Sequence, residues 1–359
     1  MSGLHFHPLR VREVQHDTDD AVIVSFDVPE ALRESFRFQP GQYLTLGHLE
    51  AGADLRRSYS ICAADGEDLR VGVRRVPGGV FSTWLHGALK AGDTIDVMEP
   101  QGRFGAALAR PSEGRHVLAI AGGSGITPIL AIVKTVLARE PRSRVTLLYG
   151  NRNAASTMFK EELEDLKNRH LTRLALHPVF SREQVDSPLN TGRLDRAKVT
   201  EFLRLVGAAT VDEAFVCGPH ALNDEAEAAL HDAGIAAERI HVERFGVPTT
   251  AAESAALHAP QAGDVTTARV AVVRDGLTRE VGFTAADDSI LGAAARAGMD
   301  VPYSCKSGVC ATCRAKLLEG RVRMDRNFAL EPADLEAGFI LTCQAHPLTE
   351  RVVVSFDHR

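Results

Sequence analysis

Three cysteines fall within nine residues, Cys305, Cys310 and Cys313, and a fourth, Cys343, follows after 29 intervening residues. Two irons bridged by two sulfides need four thiolates, and Cys-x4-Cys-x2-Cys with a distant fourth cysteine is the plant-type 2Fe-2S spacing. One loop can supply three of the ligands only if small residues let it curl, and Ser307, Gly308, Ala311 and Thr312 meet that need. Its backbone N–H groups can then face the sulfurs and offset the cluster's negative charge. The competing reading is zinc, whose ribbon sites use two Cys-x-x-Cys pairs. Here only Cys310 and Cys313 form such a pair. Disulfides fit poorly, because the chain is long and lacks a secretory signal pattern.

Two further constellations could do chemistry. Gly122, Gly123, Ser124, Gly125, Ile126, Thr127 and Pro128 close an apolar strand and open a helix. Glycines there let a dinucleotide approach the backbone, and the helix N-terminus faces its pyrophosphate, although the pattern is not Gly-x-Gly-x-x-Gly. Arg57, Ser58, Tyr59 and Ser60 place a guanidinium, a phenol and hydroxyls side by side. Alone, such a tetrapeptide is most simply a surface strand. An isolated Cys217 after an apolar strand is equally a packing thiol, and Cys62 is assigned to core packing.

These residues need three kinds of scaffold. The first hundred or so residues show short strands, 21–28 and 69–74 among them, punctuated by turn residues, which suits a small antiparallel barrel. From His116 the period changes: a strand at 117–121, a helix at 128–139, a strand at 145–149, a helix at 160–168 and strands at 174–179 and 214–217 imply crossovers and a parallel sheet. Residues 247–267, biased to Ala, Thr, Pro and Gly, read as a linker. Strands at 268–273, 279–283 and 352–356 and an alanine-rich helix at 289–297 frame the cysteine loop. The expected domains are 1–110, 111–246 and 268–359, since 359 residues exceed one ordinary core.

Composition excludes several classes. A net charge of −6 removes the electrostatic case for nucleic acid. No stretch reaches the length of an apolar membrane span and the amino terminus has no signal-like apolar core, so no membrane partner and a cytoplasmic location are expected.

The motifs together resemble the ferredoxin-NADP reductase superfamily with a C-terminal plant-type ferredoxin domain. The resemblance implies a multidomain fold: an antiparallel flavin-binding β-barrel, an α/β parallel-sheet nucleotide domain and an α+β (β-grasp) 2Fe-2S domain. It rests on Arg57 to Ser60, on Pro40 to Tyr43 before it, and on Gly79, Val80 and Ser82 after it. It implies that Arg57 meets the flavin pyrophosphate, Tyr59 covers the isoalloxazine, Ser60 reaches flavin N5, Gly79, Val80 and Ser82 contact phosphate, and Val73 and Arg74 pass the flavin. FAD rather than FMN is likewise implied. Cys217, Gly218 and Pro219 resemble the motif that sets a cysteine near nicotinamide C4, and Glu243 and Phe245 the acid and aromatic near the flavin. Ser60 and Cys217 are therefore the candidate catalytic residues.

Arg152 follows the second strand of the parallel sheet, with no acid beside it, which favours the 2′-phosphate of NADPH over NADH. Over its whole length the chain resembles the reductases that serve bacterial phenylacetyl-CoA 1,2-epoxidase, a multicomponent di-iron oxygenase. The resemblance implies that component as electron acceptor, with a ketosteroid hydroxylase or Rieske dioxygenase as alternatives and a plain electron carrier as the non-enzymatic one.

Overall fold

The computed structural model describes residues 4–50, 53–246 and 256–358. The chain divides into two compact units, one comprising His7–Leu55 and Tyr59–Phe245, the other comprising Gly246–Arg359 together with Arg56–Ser58 and the residues up to Phe6.

The first unit opens with β1 (Phe6–Thr18), β2 (Ala21–Asp27), β3 (Tyr43–Glu50), β4 (Ala53–Ser60), β5 (Arg70–Arg74), a helix α1 (Val80–Gly87) and β6 (Thr94–Met98). The strands pair in the order β4-β3-β6-β1-β2-β5, and a bridge between Ile61 and Val71 joins the ends into a closed barrel. Val22, Val24, Phe26, Leu44, Leu46, Val71 and Val73 fill its interior. β2 lacks the alternation of a half-solvated strand because its other face is covered too: Ala21 and Ile23 belong to the core of the following domain.

That domain runs β7 (His116–Gly122), α2 (Ile126–Arg139), β8 (Arg144–Asn151), α3 (Lys160–Arg169), β9 (Leu174–Phe180), α4 (Arg196–Val206), β10 (Glu213–Gly218), α5 (His220–Asp232) and β11 (Ile240–Arg244). Its sheet, ordered β11-β10-β7-β8-β9, is parallel throughout. The chain moves outward from β7 to β9 and then returns to β10, so the winding reverses between β7 and β10. Ligands bind such sheets in the crevice at that reversal, beyond the carboxyl ends of the strands. Between barrel and sheet, the buried Lys134 ammonium pairs with Glu67 and, at 2.7 Å, with Glu162, which also takes Arg70 at 2.6 Å.

The second unit contains β12 (Ala268–Arg274), β13 (Leu277–Phe283), α6 (Ile290–Arg296), β14 (Arg314–Glu319), β15 (Val322–Met324), α7 (Pro332–Glu336), β16 (Phe339–Leu341), β17 (Ala345–Pro347) and β18 (Arg351–Ser355). The main sheet is β13-β12-β18-β14-β16, with β12 and β18 parallel and the other pairs antiparallel. Ile290, Leu291, Ala293 and Ala294 of α6 pack into the same core as these strands, giving a β-grasp fold. β15 and β17 form a separate two-stranded ladder. Of the stretch read as a linker, 247–255 lies outside the described residues.

Candidate functional site

The glycine loop sits at the reversal point. A 3-10 turn over Gly123–Gly125 runs directly into α2, two residues earlier than the sequence suggests. Gly123 takes φ of +53°, and its carbonyl accepts from the buried Tyr149 hydroxyl at 3.1 Å. A Cβ on Gly125 would lie 2.1 Å from the Cys217 carbonyl oxygen, so this glycine is what allows the loop to pack on β10. Gly122 and Gly218 touch in the same way: a Cβ on Gly218 would be 3.1 Å from Gly122 N. Thr127 donates to the Ser124 carbonyl at 3.0 Å and steadies the turn. Pro219 precedes α5 and lies against Gly122. The result is a backbone cradle of the kind a dinucleotide needs.

Three expected residues converge beside it. The Ser60 hydroxyl lies 3.5 Å from the Glu243 carboxylate, and Cys217 pairs in register with Glu243 across β10 and β11. Burial pushes the Glu243 carboxyl up to about 8, against a smaller opposing pull from the Ser60 hydrogen bond. Burial, with the nearby Glu243 charge second, raises the Cys217 thiol well above its ordinary value. At neutral pH the group is thus a protonated acid beside a neutral thiol. Cys217 is fully buried and suits contact with an apolar ring edge better than nucleophilic attack. Phe245 is half-buried against the core shared by barrel and nucleotide domain.

On the barrel, Arg57, Ser58 and Tyr59 follow one another on β4, Arg57 exposed and Tyr59 half-buried. Tyr59 packs against Phe81, with ring centroids 6.1 Å apart. α1 begins after Gly79 with Val80 exposed and no described side chain capping it. Its first N–H groups are therefore suited to an anion. The Ser82 hydroxyl accepts from Val76 N at 3.0 Å and shapes the turn before the helix. Val73 is buried in the barrel. Arg74 turns toward the glycine loop: it pairs with Asp20 at 3.4 Å and donates to the Ser156 carbonyl at 2.5 Å. Arg152, at the carboxyl end of β8, pairs with the same Asp20 at 2.9 Å.

In the second unit the four cysteines are free thiols, three buried and Cys305 partly exposed. The Cys305 sulfur lies within hydrogen-bonding reach of Cys310 and Cys343, and Cys343 within reach of Cys313. The loop curls through left-handed backbone at Lys306, Gly308 and Ala311. Ser307 N donates to the Cys305 sulfur at 3.4 Å and Gln344 Nε2 to that of Cys343 at 3.4 Å. Four converging thiols with amide donors fit a 2Fe-2S cluster.

Known proteins divide the chain in the same way. An "Oxidoreductase FAD-binding domain" model matches residues 8–105, an "Oxidoreductase NAD-binding domain" 119–228, and a "2Fe-2S iron-sulfur cluster binding domain" 272–348. A component of the 1,2-phenylacetyl-CoA epoxidase of Escherichia coli K12 is 47% identical over 355 residues, 98% of each chain. The ferredoxin reductase component of 3-ketosteroid-9-alpha-monooxygenase from Rhodococcus rhodochrous is 33% identical, over 97% of this chain and 96% of its own. The chain belongs to the oxygenase reductases of the ferredoxin-NADP reductase superfamily. Among solved structures, phthalate dioxygenase reductase shares the fold, with a TM-score of 0.60 at 23% identity over 98% of both chains.

This reductase uses FAD, a nicotinamide nucleotide and a 2Fe-2S cluster. It also contains site-shaping residues that the motifs did not reveal. His220 Nε2 lies 3.1 Å from the Phe245 carbonyl and Asn223 donates to the Glu243 carbonyl at 3.0 Å, so α5 fixes the strand end that carries both. Arg182, just beyond β9, donates its backbone N–H to the Arg152 carbonyl at 2.8 Å, which sets two guanidinium-bearing residues side by side at the sheet's carboxyl edge. Only the offset of Ser181-Arg182 after a strand could have signalled it.

Proposed function

We propose that this reductase takes its electrons from NADPH and delivers them to the di-iron oxygenase component of a phenylacetyl-CoA epoxidase. The observation that carries the redox site is the meeting of Ser60, Glu243 and Cys217 at the point where the parallel sheet reverses. The choice of acceptor rests on the relative that is 47% identical along 98% of the chain.

When bound, the nicotinamide supplies a hydride, the flavin divides the electron pair and the cluster passes single electrons on. The chain's own residues set the stage for that transfer. Arg57 and the first N–H groups of α1 would hold the flavin pyrophosphate, and Tyr59 would supply an aromatic face for its ring system. Gly122, Gly123, Ser124, Gly125 and Thr127 receive the nucleotide pyrophosphate at the start of α2. Cys217, with Gly218 and Pro219 shaping its turn, bounds the nicotinamide. Arg152 and Arg182 hold the 2′-phosphate, Arg152 exchanging Asp20 for it. Glu243 would hold a proton within reach of the Ser60 hydroxyl, which could pass it on at the edge where the flavin would sit. Phe245 would cover that edge and exclude water. Cys305, Cys310, Cys313 and Cys343 hold the two irons, and the Ser307 and Gln344 amides steady the sulfurs.

Coupled turnover tests the acceptor. The purified protein with NADPH and the di-iron component should support oxygenation of phenylacetyl-CoA. Cytochrome c reduction without oxygenated product would reject this acceptor while leaving the reductase activity standing.

A further inference from the structure

The ladder that leads away from Cys343 is fastened by a buried ionic node. On it Arg323 of β15 and His346 of β17 stand directly opposite each other. The Asp325 carboxylate, almost fully buried, receives His346 Nε2 at 2.7 Å and His258 Nδ1 at 2.6 Å on the same oxygen, with Arg323 on the other. Arg323 also clasps Asp264 through two contacts, at 2.7 and 2.6 Å. A further strut is the Val265 N–H, which donates to the Pro347 carbonyl at 2.9 Å. His258 and Asp264 both come from the stretch whose composition reads as linker.

The node reaches the cluster loop through main chain. Asp325 N donates to the Gln344 carbonyl at 3.0 Å. The Gln344 side chain, fully buried, donates to the Lys306 carbonyl at 3.1 Å, the Cys343 carbonyl at 2.9 Å and the Cys343 sulfur at 3.4 Å. A buried carboxylate left short of a donor is costly, so the node holds only while its donors are in place. The arrangement also makes residues 258–265 part of the ferredoxin domain.

We propose that His258 is a positioning residue for the iron-sulfur site: from the segment preceding the ferredoxin sheet it anchors Asp325, and through Asp325 and Gln344 it sets the Cys343 side of the cluster. It is not itself one of the four cysteine ligands. The proposal rests on the assignment of the four cysteines as cluster ligands.

The test uses the full-length holoprotein and the variants His258→Ala and His258→Asn, the second keeping a donor of similar reach. Iron and sulfide content confirm the cluster assignment separately, and a protein without them would remove that assignment rather than the node. In His258→Ala, amide hydrogen exchange should rise at residues 258–265 and also at 343–347. Loss of the cluster to a chelator should accelerate about tenfold, the factor one charge-assisted hydrogen bond supports. The electron paramagnetic resonance spectrum of the reduced cluster should shift, and His258→Asn should restore all three. Faster exchange confined to 258–265, with cluster lifetime and spectrum unchanged, would overturn the proposal. So would one zinc ion per chain that is retained through dialysis and lost in His258→Ala, because the node would then be a metal site.

Discussion

Glu243→Gln separates proton handling from shape, because the amide keeps the side chain's size while losing its exchangeable acid proton. The Glu243 carboxyl titrates near 8 as a result of burial, 3.5 Å from the Ser60 hydroxyl. Across neutral pH it is therefore protonated, and it loses its proton as pH rises through 8. Positioned acid–base groups contribute roughly 10² to 10⁴ in rate. The lower end applies here, since the relay passes through a hydroxyl, so Glu243→Gln should slow flavin reduction by NADPH about a hundredfold. The assay is anaerobic stopped-flow bleaching of the flavin from pH 6 to 10. The native rate should fall above about pH 8, whereas the Gln variant should be flat there. A stability signature follows with its own sign. The folded carboxyl binds its proton more tightly than the unfolded chain, so stability is fully present below 4.5 and is lost as pH rises toward 8. At 1.36 kcal/mol per pH unit that loss is at most roughly 5 kcal/mol, and Glu243→Gln should abolish it. Identical rate profiles for the two proteins would refute the proton role.

Other consequences are simpler to read. Gly125→Ala puts a methyl 2.1 Å from the Cys217 carbonyl, so NADPH-driven flavin reduction should be lost while FAD is retained, as absorbance and dithionite titration would show. Arg152→Ala and Arg182→Ala should each raise the NADPH KM about tenfold more than the NADH KM; equal effects on both nucleotides would remove the 2′-phosphate assignment. Lys134→Met removes the cation from the half-exposed Glu67 while Glu162 keeps Arg70, and calorimetry should show a loss of about 1.5 kcal/mol.

The three cofactor classes were legible in the sequence because their motifs are matters of local order: a cysteine spacing, a glycine run after a strand, an Arg-x-Tyr-Ser tetrapeptide. The long strands and α2 and α6 were legible too, since their apolar runs are sustained, and α3 through its density of helix-forming Glu, Leu and Lys. Less visible were α4 and α5, and the three-residue strands β15, β16 and β17, which are too short to show any period. Arg74 shows a different limit: its place on β5 was plain, yet its hydrogen bond to the Ser156 carbonyl depends on the neighbouring nucleotide domain. His258 and Asp264 were hidden by composition, because the Ala, Pro and Gly around them read as linker while their partners lie about 60 residues further on.

On the proposed route, electrons enter this reductase at a flavin beside Ser60 and Glu243 and leave it through a cluster held by Cys305, Cys310, Cys313 and Cys343. The most direct test of that route is an anaerobic NADPH titration of the purified holoprotein followed by absorbance and electron paramagnetic resonance together. Flavin bleaching should be accompanied by the signal of a reduced 2Fe-2S cluster approaching one spin per chain, with that signal lost in Cys343→Ala. Flavin bleaching with no cluster signal, or zinc in place of iron at the four cysteines, would contradict it.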